Sequence, residues 1–380
     1  MRVEENLIKP SSEIVLYNTQ LSTLANLVFY FGDRTALEGD SVFNALQKTY
    51  PNAIIAGCST GGEIHQDEVY DGTITTAAVS FEQTPIKATS APIHTVEESF
   101  EVGKTIGLNL NADDLKAIFV LSDGLNVDGS ELSKGISSII SENIPITGGL
   151  AGDGTQFSKT LVGLNVPPSE KNVVAIGFYG DSIQIGHGSM GGWDVFGPKR
   201  LITKSKGTIL YEIDGKPALE VYKSYLGPLA NKLPASALTF PVSIHPENAP
   251  QSAVVRTILA VNEKDQSMTF AGTIPEGYTI QLLRGTLRHL VEGSQTAAKK
   301  ALCGVDNTSD SLALLISCIG RKLLLKQRTV DEIEAIGALY NDKPCTRIGF
   351  YSYGELSPQE GTKTCELHNQ TMTITTLYEA

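Results

Sequence analysis

The sequence predicts a mixed α/β (α+β) protein of two related lobes, each built on a sheet with flanking helices, with glycine-rich turns meeting at a shared cleft. Three observations predict it. A helical stripe followed by a proline, a short apolar strand and a glycine-rich turn recurs three times. Two of these units are preceded by similar strands, residues 117–122 and 312–317, so the recurrence extends over strand, helix and strand and implies two related halves. Finally, Gly57-Cys58-Ser59-Thr60-Gly61-Gly62-Glu63 has a near copy at residues 349–356, and both share a glycine, a hydroxyl residue and Gly-Glu-aliphatic.

In chain order, Val42, Phe43, Leu46 and Tyr50 lie on one face of a helix that Pro51 ends, before the apolar residues 53–56 and the Gly57 turn. Residues 72–81 alternate as a strand, and Thr95 to Glu98 forms a capping box with His94 at the entry to a helix. Leu132, Ile136, Ile139 and Ile140 mark the second helix, and Pro145 precedes the strand and turn at 146–154. Strands follow at 173–179, 253–261, 278–284 and 371–378. The Gly/Pro-rich segment 186–198 places a domain boundary, giving domains 1–190 and 191–380. Leu287, Leu290, Val291, Ala298 and Leu302 form a further helical stripe, which leaves His289 facing water. Ile333, Ile336 and Tyr340 mark the third helix, with Pro344 and the Gly349 turn behind it.

The chain has 380 residues, 41% of them hydrophobic and 19% charged, as a folded protein requires. A net charge of −12 opposes nucleic-acid binding, because phosphates need a basic patch and the Lys/Arg pairs are short. No stretch approaches the roughly 20 apolar residues of a membrane span, and the first residues lack an apolar signal core, which predicts a cytoplasmic protein. The five cysteines, Cys58, Cys303, Cys318, Cys345 and Cys365, are odd in number and lack CxxC spacing, so they read as buried thiols.

Two motif matches fail on context. Gly57 to Gly61 satisfies GxSxG, and Ser59, Asp123 and His368 follow the order of an α/β-hydrolase triad, but the nucleophile elbow needs a helix directly after the serine. Residues 63–72 are short, polar and turn-ended. Gly186 to Gly191 satisfies GxGxxG, with Glu212 and Asp214 about 20 residues on, yet residues 192–198 cannot start the helix that would present its N-terminus to a pyrophosphate. No two histidines have the helical zinc-site spacing. His65 and His187 fall in turns, His368 reads as hydrogen-bonded beside Met372 and Ile374, and His245, before Pro246, is expected in a loop between strands.

With these segments in view the sequence resembles the FIST family, sensory proteins with N- and C-terminal FIST halves. The resemblance rests on residues 56–63 and 148–153 in the first half. In the second it rests on 210–218, 225–227, 255–257, 274–277, 317–321, 349–356 and 368–371. It implies a ligand-binding sensor that is not an enzyme, with domain 1–190 as the N-terminal and 191–380 as the C-terminal FIST domain. It further implies, through a subgroup of the family, a protein that binds haem b and nitric oxide and regulates a histidine kinase or other signalling protein in trans. The alternatives it leaves are a sensor of a small amino-acid-like ligand without haem, a serine hydrolase and a protein-binding scaffold.

The expected ligand-binding residues are Gly57, Cys58, Ser59, Thr60, Gly61, Gly62, Glu63, Gly149, Gly152, Asp153, Arg256, Tyr351, Ser352, Tyr353 and Glu355, with His245 as haem axial ligand. The turns 57–63 and 349–355 are expected to face each other across the cleft. Glu63 and Glu355 either receive ligand ammonium groups or anchor the turns by accepting from backbone N–H groups. Arg256 meets a carboxylate or propionate, or else a structural ion pair.

Overall fold

Along the strand Leu27–Asp33, Leu27, Phe29 and Phe31 enter one buried cluster while Val28 and Tyr30 enter another. A strand apolar on both sides needs a layer on each face, and this requirement organises the molecule. The computed structural model describes residues 1–10, 14–302, 310–340, 344–359 and 364–380, and among them the chain forms four sheets.

Three of the sheets share one plan. In the first, Leu27–Asp33 and Ile54–Thr60 run parallel, joined through the helix Ser41–Thr49. Ile74–Ser80 and then Arg2–Ile8 add antiparallel strands on one side. In the second, Leu115–Ser122 and Ile146–Leu150 are the parallel pair around the helix Gly129–Ser137, with Asn172–Tyr179 and Ile86–Pro92 outside. The third pairs Ser311–Cys318 with Cys345–Ser352 around the helices Ile319–Leu325 and Thr329–Tyr340, with Met372–Glu379 and Ile183–Met190 outside. The sheets thus follow all three copies of the helix–proline–strand–turn unit seen in the sequence.

The units interlock. After its second parallel strand the first unit sends the hairpin Glu63–His65 and Glu68–Tyr70 onto the third unit's Cys345–Ser352. The third sends Gly354–Pro358 and Cys365–His368 onto the second unit's Ile146–Leu150. The second returns Val162–Leu164 to the first unit's Ile54–Thr60. Each exchange covers a sheet edge that would otherwise expose unpaired N–H and C=O groups. The inner faces of the three sheets meet in one apolar core, where Phe29 packs edge-on to Phe119 at 5.2 Å and Phe31 on Phe350 at 4.8 Å.

The helices cover the outer faces. Val42, Phe43 and Leu46 cover the first sheet, Ile106, Leu132 and Ile136 the second, and Ala297, Ile333 and Ile336 the third. Close approach there needs glycine: a Cβ on Gly103 would lie 2.2 Å from the Leu132 carbonyl, and one on Gly135 2.1 Å from that of Phe100.

The fourth sheet is an insertion into the third unit. The chain leaves after Ile183–Met190, builds a nine-stranded sheet with its own core around the helix Ala218–Leu226, and re-enters through the helix Leu287–Ala301. Arg321 clamps both ends of this insert. It donates to the Gly191 carbonyl at the exit (2.6 Å) and the Leu290 carbonyl at the return (2.7 Å), and pairs with Glu332 at 2.8 Å with both side chains fully buried. Within the insert, the single strand expected at 253–261 is two, Val254–Arg256 and Ile258–Asn262, which pair with different neighbours. The chain bends at Thr257, whose amide and carbonyl are engaged by Asn369 Oδ1 and the Ala271 amide.

Candidate functional site

Where the three units meet, the glycine turns close a ring of backbone hydrogen bonds. Gly61 N donates to the Tyr351 carbonyl (2.7 Å), Tyr353 N to that of Leu150 (3.1 Å), and Gly152 N to that of Ser59 (3.0 Å), so each unit holds the next. Inside each unit, one glycine lets the two parallel strands behind these turns approach closely. A Cβ on Gly57, Gly148 or Gly349 would stand 2.2, 2.0 or 1.8 Å from the carbonyl of Tyr30, Val120 or Leu315 on the parallel neighbour strand.

The two Gly-Glu turns do not face each other across a cleft; both are buried, and their carboxylates do the same structural job. Glu63 Oε1 accepts from Thr60 Oγ1 (2.5 Å) and Oε2 from Thr73 N and Oγ1 (3.0 and 2.9 Å). Glu355 Oε1 accepts from Ser352 Oγ (2.5 Å) and Oε2 from Thr371 N and Oγ1 (3.2 and 2.9 Å). Burial pushes each carboxyl up to about 7, against the opposing pull of these donors. Of the two roles open to them, the geometry has the anchoring one.

Most of the other expected residues lie in the same buried ring. Cys58 faces the central core, Ser59 Oγ accepts from Leu161 N (2.9 Å), and the Tyr351 hydroxyl donates to Glu332 (2.9 Å). Gly149 packs on Ile316, and Gly152 on Gly61. Gly62, at φ +137, packs against Lys322. Asp123 and His368 are not among the partners of Ser59: Asp123 accepts from the amides of Leu125, Asn126 and Lys171, and His368 Nε2 contacts the Ser357 carbonyl. After Ser59 the chain continues into a β-hairpin, without the helix an elbow requires. Gly186 to Met190 likewise lies in a strand.

A cavity of about 530 Å³ opens beside the ring, between the insert and the second and third units. The second unit supplies Leu125, Val127 and Asp128, the third supplies Cys318, Ile319 and Leu323, and the insert supplies Leu238, Ile258 and Phe270. Its wall is mostly apolar. Burial pushes the Cys318 thiol well up, so it is protonated, against weaker opposition from the amides of Gln370 and Gly320. At the mouth Phe157 stacks on Tyr353, ring centroids 4.7 Å apart. Tyr353 donates its hydroxyl to Asp153, which also accepts from the amides of Phe157, Ser158 and Lys159. Burial raises the Asp153 carboxyl, but these donors outweigh it and hold it below the usual range.

A second cavity of similar volume lies behind a partition formed by Val254–Arg256 and Cys365–His368. The successive strand residues Leu367 and His368 point to opposite sides, Leu367 to the apolar cavity and His368 to this one; Val255 also lines this cavity, and Thr257, just past the end of its strand, lines the apolar one. His368 is held neutral, pushed down to about 4 by burial and then by Arg256. Arg256 sits within the partition, where no carboxylate is in direct contact with its guanidinium among the described residues, although Glu366 and Asp128 act on its charge from nearby. It donates to the carbonyls of Thr273, Val255 and Leu367 and to Ser130 Oγ.

His245 departs from expectation as well. It is buried inside the strand Val242–Pro246, because its backbone pairs with Thr279, and its Nδ1 lies 2.7 Å from the Pro246 carbonyl. It lines neither cavity. Among the described residues of the apolar cavity no histidine or methionine appears and the Tyr353 hydroxyl is engaged, so no imidazole, thioether or unengaged phenol lines it to hold a haem iron. Cys303 lies outside the described residues.

Of the fifteen expected ligand residues, Tyr353 alone lines the apolar cavity among the described residues. Asp128, Phe157, Thr257, Cys318 and Asn369 were missed as site residues. For Thr257, Cys318 and Asn369 the signal was present, because residues 255–257, 317–321 and 368–371, three of the segments that carried the resemblance, converge on this cavity and its partition; Asp128 and Phe157 lie outside those segments.

Comparison with known proteins agrees with the segments quoted above. Residues 26–216 match the model of the FIST N domain, and residues 218–358 that of the FIST C domain. No curated protein matches the chain. Among solved structures, the cyanuric acid hydrolase from A. caulinodans is similar over 99% of this chain and 98% of its own, at 8% identity and a TM-score of 0.37. Among the described residues no helix is long and apolar enough to cross a membrane.

Proposed function

Because the chain belongs to the FIST family, whose domains are signal-transduction sensor domains that bind small ligands, we propose that it is a sensor whose ligand occupies the apolar cavity between the insert and the second and third units. The observation that carries this reading is the cavity's composition: its wall is shared by three separately anchored parts of the fold. A ligand there touches the insert on one side and the glycine ring's Tyr353 on the other. It therefore stabilises one placement of the insert relative to the body. The insert is joined to the body through two chain crossings held by Arg321, so a change at the cavity has a defined route to the surface a signalling partner reads.

The expected haem and nitric-oxide chemistry gains nothing from this cavity, and no step is assigned to it. A zwitterionic amino acid gains little either, since no cation lines the described wall to meet its carboxylate. The reading is tested by a thermal-shift screen of small apolar compounds against wild type and against Ala271→Trp, which fills the cavity from the insert side. Binders lost in the variant support it. Compounds that stabilise both proteins equally, or none that bind, refute it.

A further inference from the structure

The charges around the cavity select among ligands, and this inference rests on the sensor reading above. Among the described residues that line it there is no lysine, arginine or histidine, and the carboxylate is that of Asp128. Both its oxygens are engaged: Oδ1 accepts from the amides of Ser130 (2.9 Å) and Glu131 (3.3 Å), and Oδ2 from Thr273 Oγ1 (2.9 Å). The buried cation behind the wall, Arg256, is screened by Gly272, on which a Cβ would come within 3.0 Å of Arg256 Nε. Its N–H groups point to the four oxygens named above. An anionic ligand would find no unpaired cation here and a cationic one no open carboxylate, and burying an unmatched charge is prohibitive. The Thr257 hydroxyl, buried at the wall without a partner among the described residues, is a neutral group.

Shape narrows the ligand further. Tyr353 is a fixed aromatic face, since its hydroxyl is held by Asp153 and contacts the Gly154 carbonyl at 3.1 Å. Phe157 is the exposed one: the residue is 49% exposed, and its backbone sits at φ +49, a conformation that bulky residues rarely adopt. The two planes lie within 19° of parallel. We propose that the cavity takes an uncharged ligand bearing an aromatic ring, which stacks on the face of Tyr353 that Phe157 covers, with Phe157 as the lid that swings off that face to admit the ring and closes over it.

Two fluorescent probes with the same pair of aromatic groups separate the claims: neutral N-phenyl-1-naphthylamine and its sulfonated relative 8-anilinonaphthalene-1-sulfonate. Each is titrated into wild type, Phe157→Ala and Ala271→Trp, with Leu238→Trp as a second cavity-filling variant should Ala271→Trp fail to fold. The neutral probe is expected to bind one to one, at least about tenfold tighter than the sulfonate, and to be lost in the filled variants. Phe157→Ala is expected to weaken it roughly 2- to 12-fold, the worth of one aromatic stack. Equal affinity for both probes, lost in the filled variants, overturns the charge rule while leaving the cavity as the site. Unchanged affinity in Phe157→Ala overturns the lid. Absence of binding by either probe overturns the inference and removes support from the cavity itself.

Discussion

Replacing Glu355 by glutamine isolates the electrostatics of the buried turns. Burial raises this carboxyl from its ordinary 4.5 to about 7, with the donors Ser352 and Thr371 pulling the other way. The folded protein therefore holds the proton more tightly than the unfolded chain. The stability this contributes is fully present below about pH 4.5 and is lost as pH rises through about 7. At 1.36 kcal/mol per pH unit the loss amounts to about 3 kcal/mol. Glutamine cannot ionise, and the site accommodates it: its carbonyl keeps the Thr371 donors, while Ser352 Oγ, also 3.2 Å from the Ser317 carbonyl, turns its hydrogen there and accepts from the new amide. Urea unfolding followed by circular dichroism at several pH values measures the outcome. The stability of Glu355→Gln relative to wild type is expected to rise by about 2–3 kcal/mol between about pH 5 and about pH 8. A difference that stays constant, or changes in the opposite sense, refutes the reasoning.

Two further predictions concern the interlocked frame. Gly349→Ala places a methyl 1.8 Å from a backbone carbonyl that cannot move without breaking the parallel pair, so a loss of more than about 3 kcal/mol is expected in the same unfolding assay; Gly39→Ala, at φ +89 with open space, costs only about 1–2 kcal/mol. Comparable midpoints for the two variants would sink the close-approach argument. A fragment of residues 1–216 is expected not to fold cooperatively, because Ile183–Met190 pairs with Met372–Glu379 and the hairpin from Glu63 pairs with Cys345–Ser352. A dispersed amide spectrum from that fragment would show that the exchanges are dispensable.

Much of the fold was legible because it is written locally. The helices at 41–49 and 329–340 follow from 3.6-residue stripes ended by prolines, and the strands at 115–122 and 311–318 from runs apolar on both faces. The capping box was legible only in part: Glu98 reaches back to the His94 amide, and Thr95 makes no side-chain cap. The site was less legible. The near-identical turns at Glu63 and Glu355 marked a shared structural role and were read as a ligand wall, because a glycine turn that admits a ligand and one that admits a neighbouring backbone have the same composition.

The sequence by itself determined family membership, the strand–helix–strand unit and the glycines that its turns require, since each depends on residues close along the chain. Tertiary structure decided the rest. Whether Glu63 faces solvent depends on Phe350, its partner in the third sheet, and whether Arg256 meets a ligand depends on Gly272 and Leu367. Which side chains line the cavity depends on where the insert lies, which contacts far apart in sequence set. Burial and pairing are properties of neighbours in space, and no local pattern records which neighbours those are.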